Sequence, residues 1–325
     1  MKLSILDQAP VAEGQTPKEA LEASMKLAQT GDAHGYTRFW VAEHHAWSNL
    51  ASSSPEVFLG YIGARTNRIR IGSGAVLLPY YKPYKVAENF NLLATLFGDR
   101  VDIGIGRAPG GSAEASEALS DGFLQQVFKM PDLVDELIGY VEDTDVHVSA
   151  HPVPPYRPEL WMLGTSRKSA AFAAEKGLLY CFGQFMSDED GVEILNAYRE
   201  HYIPRHGDSH PYSIMGVSVV CAETTEAAHD IALSWLIWQV QQSHGNNGAI
   251  PSIEAAKAYQ LTPDDEQKIA NMRKKMIIGN PLEVADALRA MQNRTGADEF
   301  MIITITFSPE DKQKSYQYVA QALNE

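Results

Sequence analysis

The chain has 325 residues, 45% hydrophobic and 21% charged, the make-up of a globular protein with enough material for a large core. Its formal charge of −14 argues against a general nucleic-acid or anionic-membrane face, both of which need a basic surface, but a local nest of donors could still take a phosphate. Cys181 and Cys221 lie in apolar, strand-like runs and read as buried free thiols of a reducing compartment. The first residues lack a signal peptide's apolar region and no run approaches the ~18 residues of a membrane span, so the expectation is a cytoplasmic protein.

Short apolar runs alternate with helical patterns along the whole chain. Leu3 to Leu6 reads as a strand, and Pro17 opens a helix to about Ala33. Tyr36 to Ala42 is the second strand, followed by a helix from Pro55 to Arg65. Ile69 to Leu78 is the third, with a helix over Pro83 to Phe97; Val101 to Ile105 is the fourth, with a helical stretch from about Ala113 to Val141. Further strands fall at Leu160 to Leu163, Leu178 to Phe182, Tyr212 to Ala222 and Glu299 to Thr306. Each is followed by a helix. Eight such units predict an α/β fold, a (β/α)8 TIM barrel in one domain spanning 1–325, rather than an open sheet. The stretch 243–278 breaks the rhythm between strands seven and eight and reads as a lid or rim.

Four places could carry chemistry. The second strand ends in Glu43-His44-His45, at the carboxyl end where barrels build their sites. A polar cap, a metal site and a proton-transferring or cofactor-contacting histidine are all open, and the last fits best. No third ligand stands at a metal-site spacing, so no metal is expected. Glycines inside Gly72-Ser73-Gly74-Ala75 allow either a flat ligand or tight barrel packing close to the backbone. Arg107, after Gly104-Ile105-Gly106, reads as an anion or ring-carbonyl contact or as a plain surface cation. Thr165, Ser166 and Ser169 open a helix directly after the fifth strand. A phosphate would use the cluster there, whereas ordinary capping by Thr165 or Ser166 would account for one hydroxyl.

In this order and spacing the pieces resemble the bacterial luciferase-like flavin monooxygenase superfamily. The likeness runs from Leu3–Pro10 through Glu43-His44-His45, Gly74–Pro79, Lys85–Glu88, Gly104–Arg107 and Thr165–Ser169 to Gly279-Asn280-Pro281. It is nearest to the single-chain subgroup whose second strand ends in Trp-Val/Leu-Ala-Glu-His-His. The resemblance implies that reduced FMN binds at the carboxyl ends of the strands. His44 would be the catalytic histidine, and Gly74-Ala75 would carry a non-proline cis peptide beside the ring. Arg107, Thr165, Ser166 and Ser169 would hold the phosphate. Gly106 stands where the luciferase catalytic chain has a reactive cysteine, and Thr165 replaces a carboxylate of the luciferase phosphate loop.

The function so implied is a monooxygenase supplied with reduced FMN by a separate NAD(P)H-dependent flavin reductase. It would oxygenate an aldehyde, ketone or aromatic substrate with O2 through a C4a-peroxyflavin, and would work as a homodimer packed through helices 55–65 and 83–97. The aromatics Trp40, Trp47, Tyr80 and Tyr81 suit such a substrate or serve packing. An F420-dependent hydride-transfer oxidoreductase and a non-catalytic flavin-binding protein are the alternatives.

Overall fold

Eight parallel strands close into a ring with helices outside. The computed structural model describes residues 1–144, 146–207 and 209–324. Its first half runs β1 (Lys2–Asp7), α1 (Pro17–Ala33), β2 (Arg38–Val41), α2 (Pro55–Gly63), β3 (Arg70–Ser73), β4 (Val76–Leu77), α3 (Pro83–Phe97), β5 (Val101–Gly106), α4 (Ala113–Leu119), α5 (Phe123–Phe128) and α6 (Met130–Glu142). The second half runs β6 (Glu159–Gly164), α7 (Arg167–Glu175), β7 (Leu179–Gly183), α8 (Gly191–Glu200), β8 (Ser213–Cys221), α9 (Thr225–Ser243), α10 (Ile253–Ala258), α11 (Pro263–Arg273), β9 (Met276–Gly279), α12 (Pro281–Thr295), β10 (Glu299–Ile303) and α13 (Pro309–Asn324). β10 pairs with both β1 and β8, which shuts the ring and makes the fold a (β/α)8 barrel. Among the described residues no helix is long and apolar enough to cross a membrane.

The helices start where their capping chemistry dictates. Thr16 and Glu19 form a capping box ahead of Pro17, and Asn280 and Glu283 form another ahead of Pro281. The Gly279-Asn280-Pro281 motif is thus the amino-terminal stop of α12. Phe39, Leu59, Phe90, Leu137, Tyr198 and Tyr316 are fully buried between sheet and helices, where most of the apolar area is packed.

The structure departs from the sequence reading in three places. The third strand is not continuous. Gly72 faces Asp102 while Val76 faces Ile105, so four residue steps on β3–β4 run against three on β5, a one-residue bulge. Ser73 repairs the ladder there, its hydroxyl donating to Gly104 O at 2.8 Å and accepting from Gly104 N at 3.0 Å. The helical stretch after β5 is three helices, and α4 and α5 carry no buried residue. Within 243–278 the chain also forms a strand, β9, which pairs with Ser218–Cys221 of β8 outside the closed ring. Helices α10 and α11 of that segment pack on α9 through Leu236, Ile237, Val240, Ala256 and Ile269.

The barrel interior is filled at its amino-terminal end by charge rather than by hydrocarbon. Arg38 donates to Asp102 and Glu159 at 2.9 Å each and to Glu299 at 3.2 Å, while its guanidinium stacks 4.5 Å from the Trp161 ring. Arg70 adds two bonds to Asp102, and Ser4 and Tyr212 donate to Glu299. Burial pushes the Asp102 carboxyl up, but the Arg38 and Arg70 charges and the Trp40 indole N–H outweigh it, so Asp102 stays below the usual carboxylate range. Removing the central cation leaves buried carboxylates uncompensated. Arg38→Met is therefore expected to lose about 3–5 kcal/mol in urea unfolding, with Glu159→Gln, at the half-exposed edge, losing under about 1 kcal/mol; equal losses would mean the network is not centred on Arg38.

Candidate functional site

Above the charged plug, side-chain volume runs out. Trp40, fully buried, donates its Nε1–H to Asp102 at 2.9 Å and lies edge-on to Trp161 with ring centroids 5.3 Å apart. The layer above it is built from Ala42, Gly74, Gly106, Gly183 and Gly216, where a filled barrel would place branched side chains. A cavity of about 430 Å³ opens there at the carboxyl ends of the strands, within the size range of small-molecule sites. Leu6, Leu163, Phe185, Met186 and Met301 make most of its apolar lining. Not every glycine there faces open space. Gly104, below the lining, is fixed by backbone packing, since a Cβ there would sit 2.1 Å from Ser73 O, while one on Gly74 would meet the movable end of Leu6 at 2.6 Å. The Gly74–Ala75 peptide is cis.

The end of β2 sorts its three polar side chains into different jobs. Glu43 is buried and accepts from Leu77 N at 3.0 Å, Tyr81 OH at 2.6 Å and His45 Nε2 at 2.7 Å. It ties the strand end to β4 and occupies His45. His44 turns the other way, into the cavity, with its backbone N–H held by Ser52 O at 3.0 Å. Its Nδ1 is buried and has no hydrogen-bond partner. Burial, with a smaller contribution from His45, pulls the imidazole down to about 4, so the ring is neutral at pH 7. Two non-glycine residues with positive φ, Ala9 and Ala46, follow Gln8 and His45 at neighbouring strand ends.

Opposite, the start of α7 presents donors. Ser166 is the N-cap and Ser169 its capping-box partner. Ser169 Oγ also lies 3.0 Å from Tyr180 OH. Capping therefore engages both serine hydroxyls, one more than the capping reading of the sequence expects. Thr165 lines the cavity beside them, and Arg107 reaches its rim with no ion pair among the described residues. Helix N-termini carry free N–H groups and partial positive charge, which suits an anion.

All seven residues singled out from the sequence, His44, Gly74, Ala75, Arg107, Thr165, Ser166 and Ser169, line this one cavity. Three of the four aromatics do not. Trp47, Tyr80 and Tyr81 stand outside it, with Tyr80 stacked on Phe123 at 4.6 Å and bonded to Pro109 O, and Trp40 is its floor. No residue of 243–278 lines it; that segment meets the loops around the rim near its start, where Asn49 donates to Asn247 O and Gly248 O and Ile250 pairs with Val11 and Glu13. Gln8 was missed. It lines the cavity one step past β1, and the strand-end rule that marks His44 marks it too. An orphaned imidazole nitrogen, a low glycine wall and a helix start with a nearby unpaired arginine together fit a flat ring bearing a phosphate.

Comparison with known proteins agrees with this geometry. A family model described as luciferase-like monooxygenase matches residues 1–299. The chain is 35% identical to N-acetyl-S-alkylcysteine monooxygenase of Bacillus subtilis (strain 168), over 99% of this chain and 98% of that one. It is similar to the crystal structure of apo-MsnO8, with 35% identity and a TM-score of 0.91 over 99% and 97% of the two chains. The oxygenating constituent of 3,6-diketocamphane monooxygenase from Pseudomonas putida, in complex with FMN, shares the fold at 16% identity, with a TM-score of 0.75 over 99% and 97%.

The His44 environment makes a signed prediction. The folded state takes a proton on His44 only near pH 4, whereas the unfolded chain does so near 6.5, so acidification between those values favours unfolding. Wild type should lose stability across that window more steeply than His44→Phe, and the His44 imidazole should titrate near pH 4 by NMR. Titration near 6.5 with parallel stability curves would contradict the buried, unpaired placement.

Proposed function

Because the chain belongs to the luciferase-like monooxygenase family, whose members are oxidoreductases acting with O2, we propose that it is a two-component FMN-dependent monooxygenase. A separate NAD(P)H-dependent flavin reductase would supply the reduced flavin. The observation that carries this reading is that His44, whose Nδ1 has no partner among the described residues, lines the same cavity as the α7 donors. When bound, reduced FMN supplies the two electrons with which O2 is activated toward an organic substrate.

The chain's own residues would do four things. Arg107, Thr165 and the start of α7 hold the phosphate, Thr165 through a hydroxyl that capping leaves free. Gly74 and Ala75 form the wall against the ring, with Trp40 below. His44, neutral at pH 7, accepts or returns a proton through its imidazole, while His45 stays bound to Glu43. The apolar lining keeps water from the inner part of the cavity. Aldehydes, ketones and aromatics suit the apolar walls, and the relative named for N-acetyl-S-alkylcysteine adds thioethers to the classes worth testing.

Anaerobic titration with reduced FMN, followed by mixing with 18O2 and a panel of these substrates, tests the reading. One labelled oxygen should enter the product, and His44→Ala should lower product per reduced FMN by roughly 100-fold, with hydrogen peroxide rising instead. Hydride transfer with F420 and no oxygenated product would favour the dehydrogenase alternative, and flavin binding without turnover the non-catalytic one.

The exposed apolar side chains Val57 and Tyr61 on α2 and Leu92 and Leu96 on α3 support a homodimer packed through these helices. Light scattering should give twice the 35.8 kDa chain mass, and Val57→Glu/Leu96→Glu should give the monomer; a monomeric wild type would rule the dimer out.

A further inference from the structure

One wall of the cavity is a ring laid over bare backbone. Gly183 and Gly216 are register partners on β7 and β8, so together they form a step without side chains at cavity level. Phe185 folds back over that step from the turn after β7. A Cβ on Gly216 would meet Phe185 Cε1 at 3.2 Å, and one on Gly183 would meet it at 3.8 Å. The ring stands where a filled barrel would place two inward side chains. Its turn is braced, with Gln184 O accepting from Ser187 N at 3.1 Å, Gln184 Oε1 from Gly191 N at 3.1 Å, and Ser187 Oγ donating to Thr165 O at 2.8 Å. Taking the ring away would therefore widen the cavity over glycine backbone rather than uncover another side chain.

The flavin reading uses His44 after β2, Gly74 and Ala75 between β3 and β4, Arg107 after β5 and Thr165 after β6. It leaves an arc of adjacent strands, β7, β8, β10 and β1, which gives the cavity Cys181, Phe185, Gly216, Met301, Leu6 and Gln8. None of these side chains is charged. Burial pushes the Cys181 thiol up and keeps it protonated, and only Gln8 carries an amide. We propose that this arc seats the substrate and that Phe185 sets its size: the seat takes a neutral molecule whose apolar end stops against the Phe185 ring and whose carbonyl meets the Gln8 amide. The inference rests on the flavin reading above and adds a specificity-setting residue to it. An ionised head group on this arc would lose its hydration without gaining a partner, so neutral carbonyl compounds of limited reach fit it best.

Binding of 2-alkanones of increasing chain length to the FMN-saturated full-length protein, read as a change in flavin absorbance, tests the seat. In wild type, affinity should rise about three- to fourfold per added carbon until the chain reaches the ring, and then stop rising. Phe185→Ala should carry that rise on for roughly two or three more carbons, with the FMN dissociation constant within about twofold of wild type. Gly216→Ala, whose Cβ would press on the ring, should bring the limit in. Gln8→Leu should weaken every ketone about three- to tenfold and leave the limit where it is. A limit that neither Phe185→Ala nor Gly216→Ala moves would overturn the role of Phe185, as would a loss of FMN affinity in Phe185→Ala as large as its effect on the ketones. FMN-bound wild type that takes up none of the ketones would overturn the seat alone. Wild type that does not bind FMN would overturn the flavin reading, and this inference with it.

Discussion

The structure turns on one buried cation. Arg38 enters the barrel from β2 and is met by carboxylates from β5, β6 and β10, so a single guanidinium holds strands from around the ring to one centre. Such a cluster is costly to desolvate and is stable only when every member is paired, which makes it intolerant of partial loss. Its consequence reaches upward. Asp102, held ionised by Arg38 and Arg70, accepts the indole N–H of Trp40 and fixes that ring across the barrel. With the floor set at Trp40, the small residues above it leave space that a ligand can use.

At the mouth, the same logic of committed and uncommitted groups assigns the chemistry. Glu43 has three donors and spends itself on the backbone of β4, on Tyr81 and on His45. His44, one residue along, is left without a partner in a site that disfavours its charge. Adjacent histidines of identical type thus differ through their neighbours alone. A neutral imidazole with a free nitrogen can take or give a proton, whereas one bound to a buried carboxylate serves to fix the turn. Across the cavity, Ser166 and Ser169 are bound into the α7 cap, which leaves Thr165 and Arg107 as the uncommitted donors.

Much of the fold was legible because it is written in local periodicity. Strand–helix alternation gave the barrel, and α1 and α3 end where Pro17, Ala33, Pro83 and Phe97 suggest. The site residues were legible through the rule that barrels place chemistry at strand carboxyl ends, joined to a family resemblance. What could not be read depends on distance in the chain. Arg38 lies 64 residues from Asp102 and 261 from Glu299, and nothing near any of them announces the others. The bulge between β3 and β4 was hidden for a related reason. It is a mismatch with β5, so it exists only once the two strands are paired. β9 escaped notice because its four residues, Met276 to Gly279, carry only a short apolar signal beside a capping motif.

A crystal structure of the protein with FMN bound tests the central claim most directly, that the Trp40-floored cavity is a flavin site organised between His44 and the start of α7. The phosphate should lie at the start of α7 within hydrogen-bond reach of Thr165 and Arg107. The ring should rest against Gly74 and Ala75, with His44 Nδ1 satisfied from the cavity side. Flavin bound away from this cavity, or inside it with His44 Nδ1 still unpaired and the phosphate remote from α7, would contradict the claim.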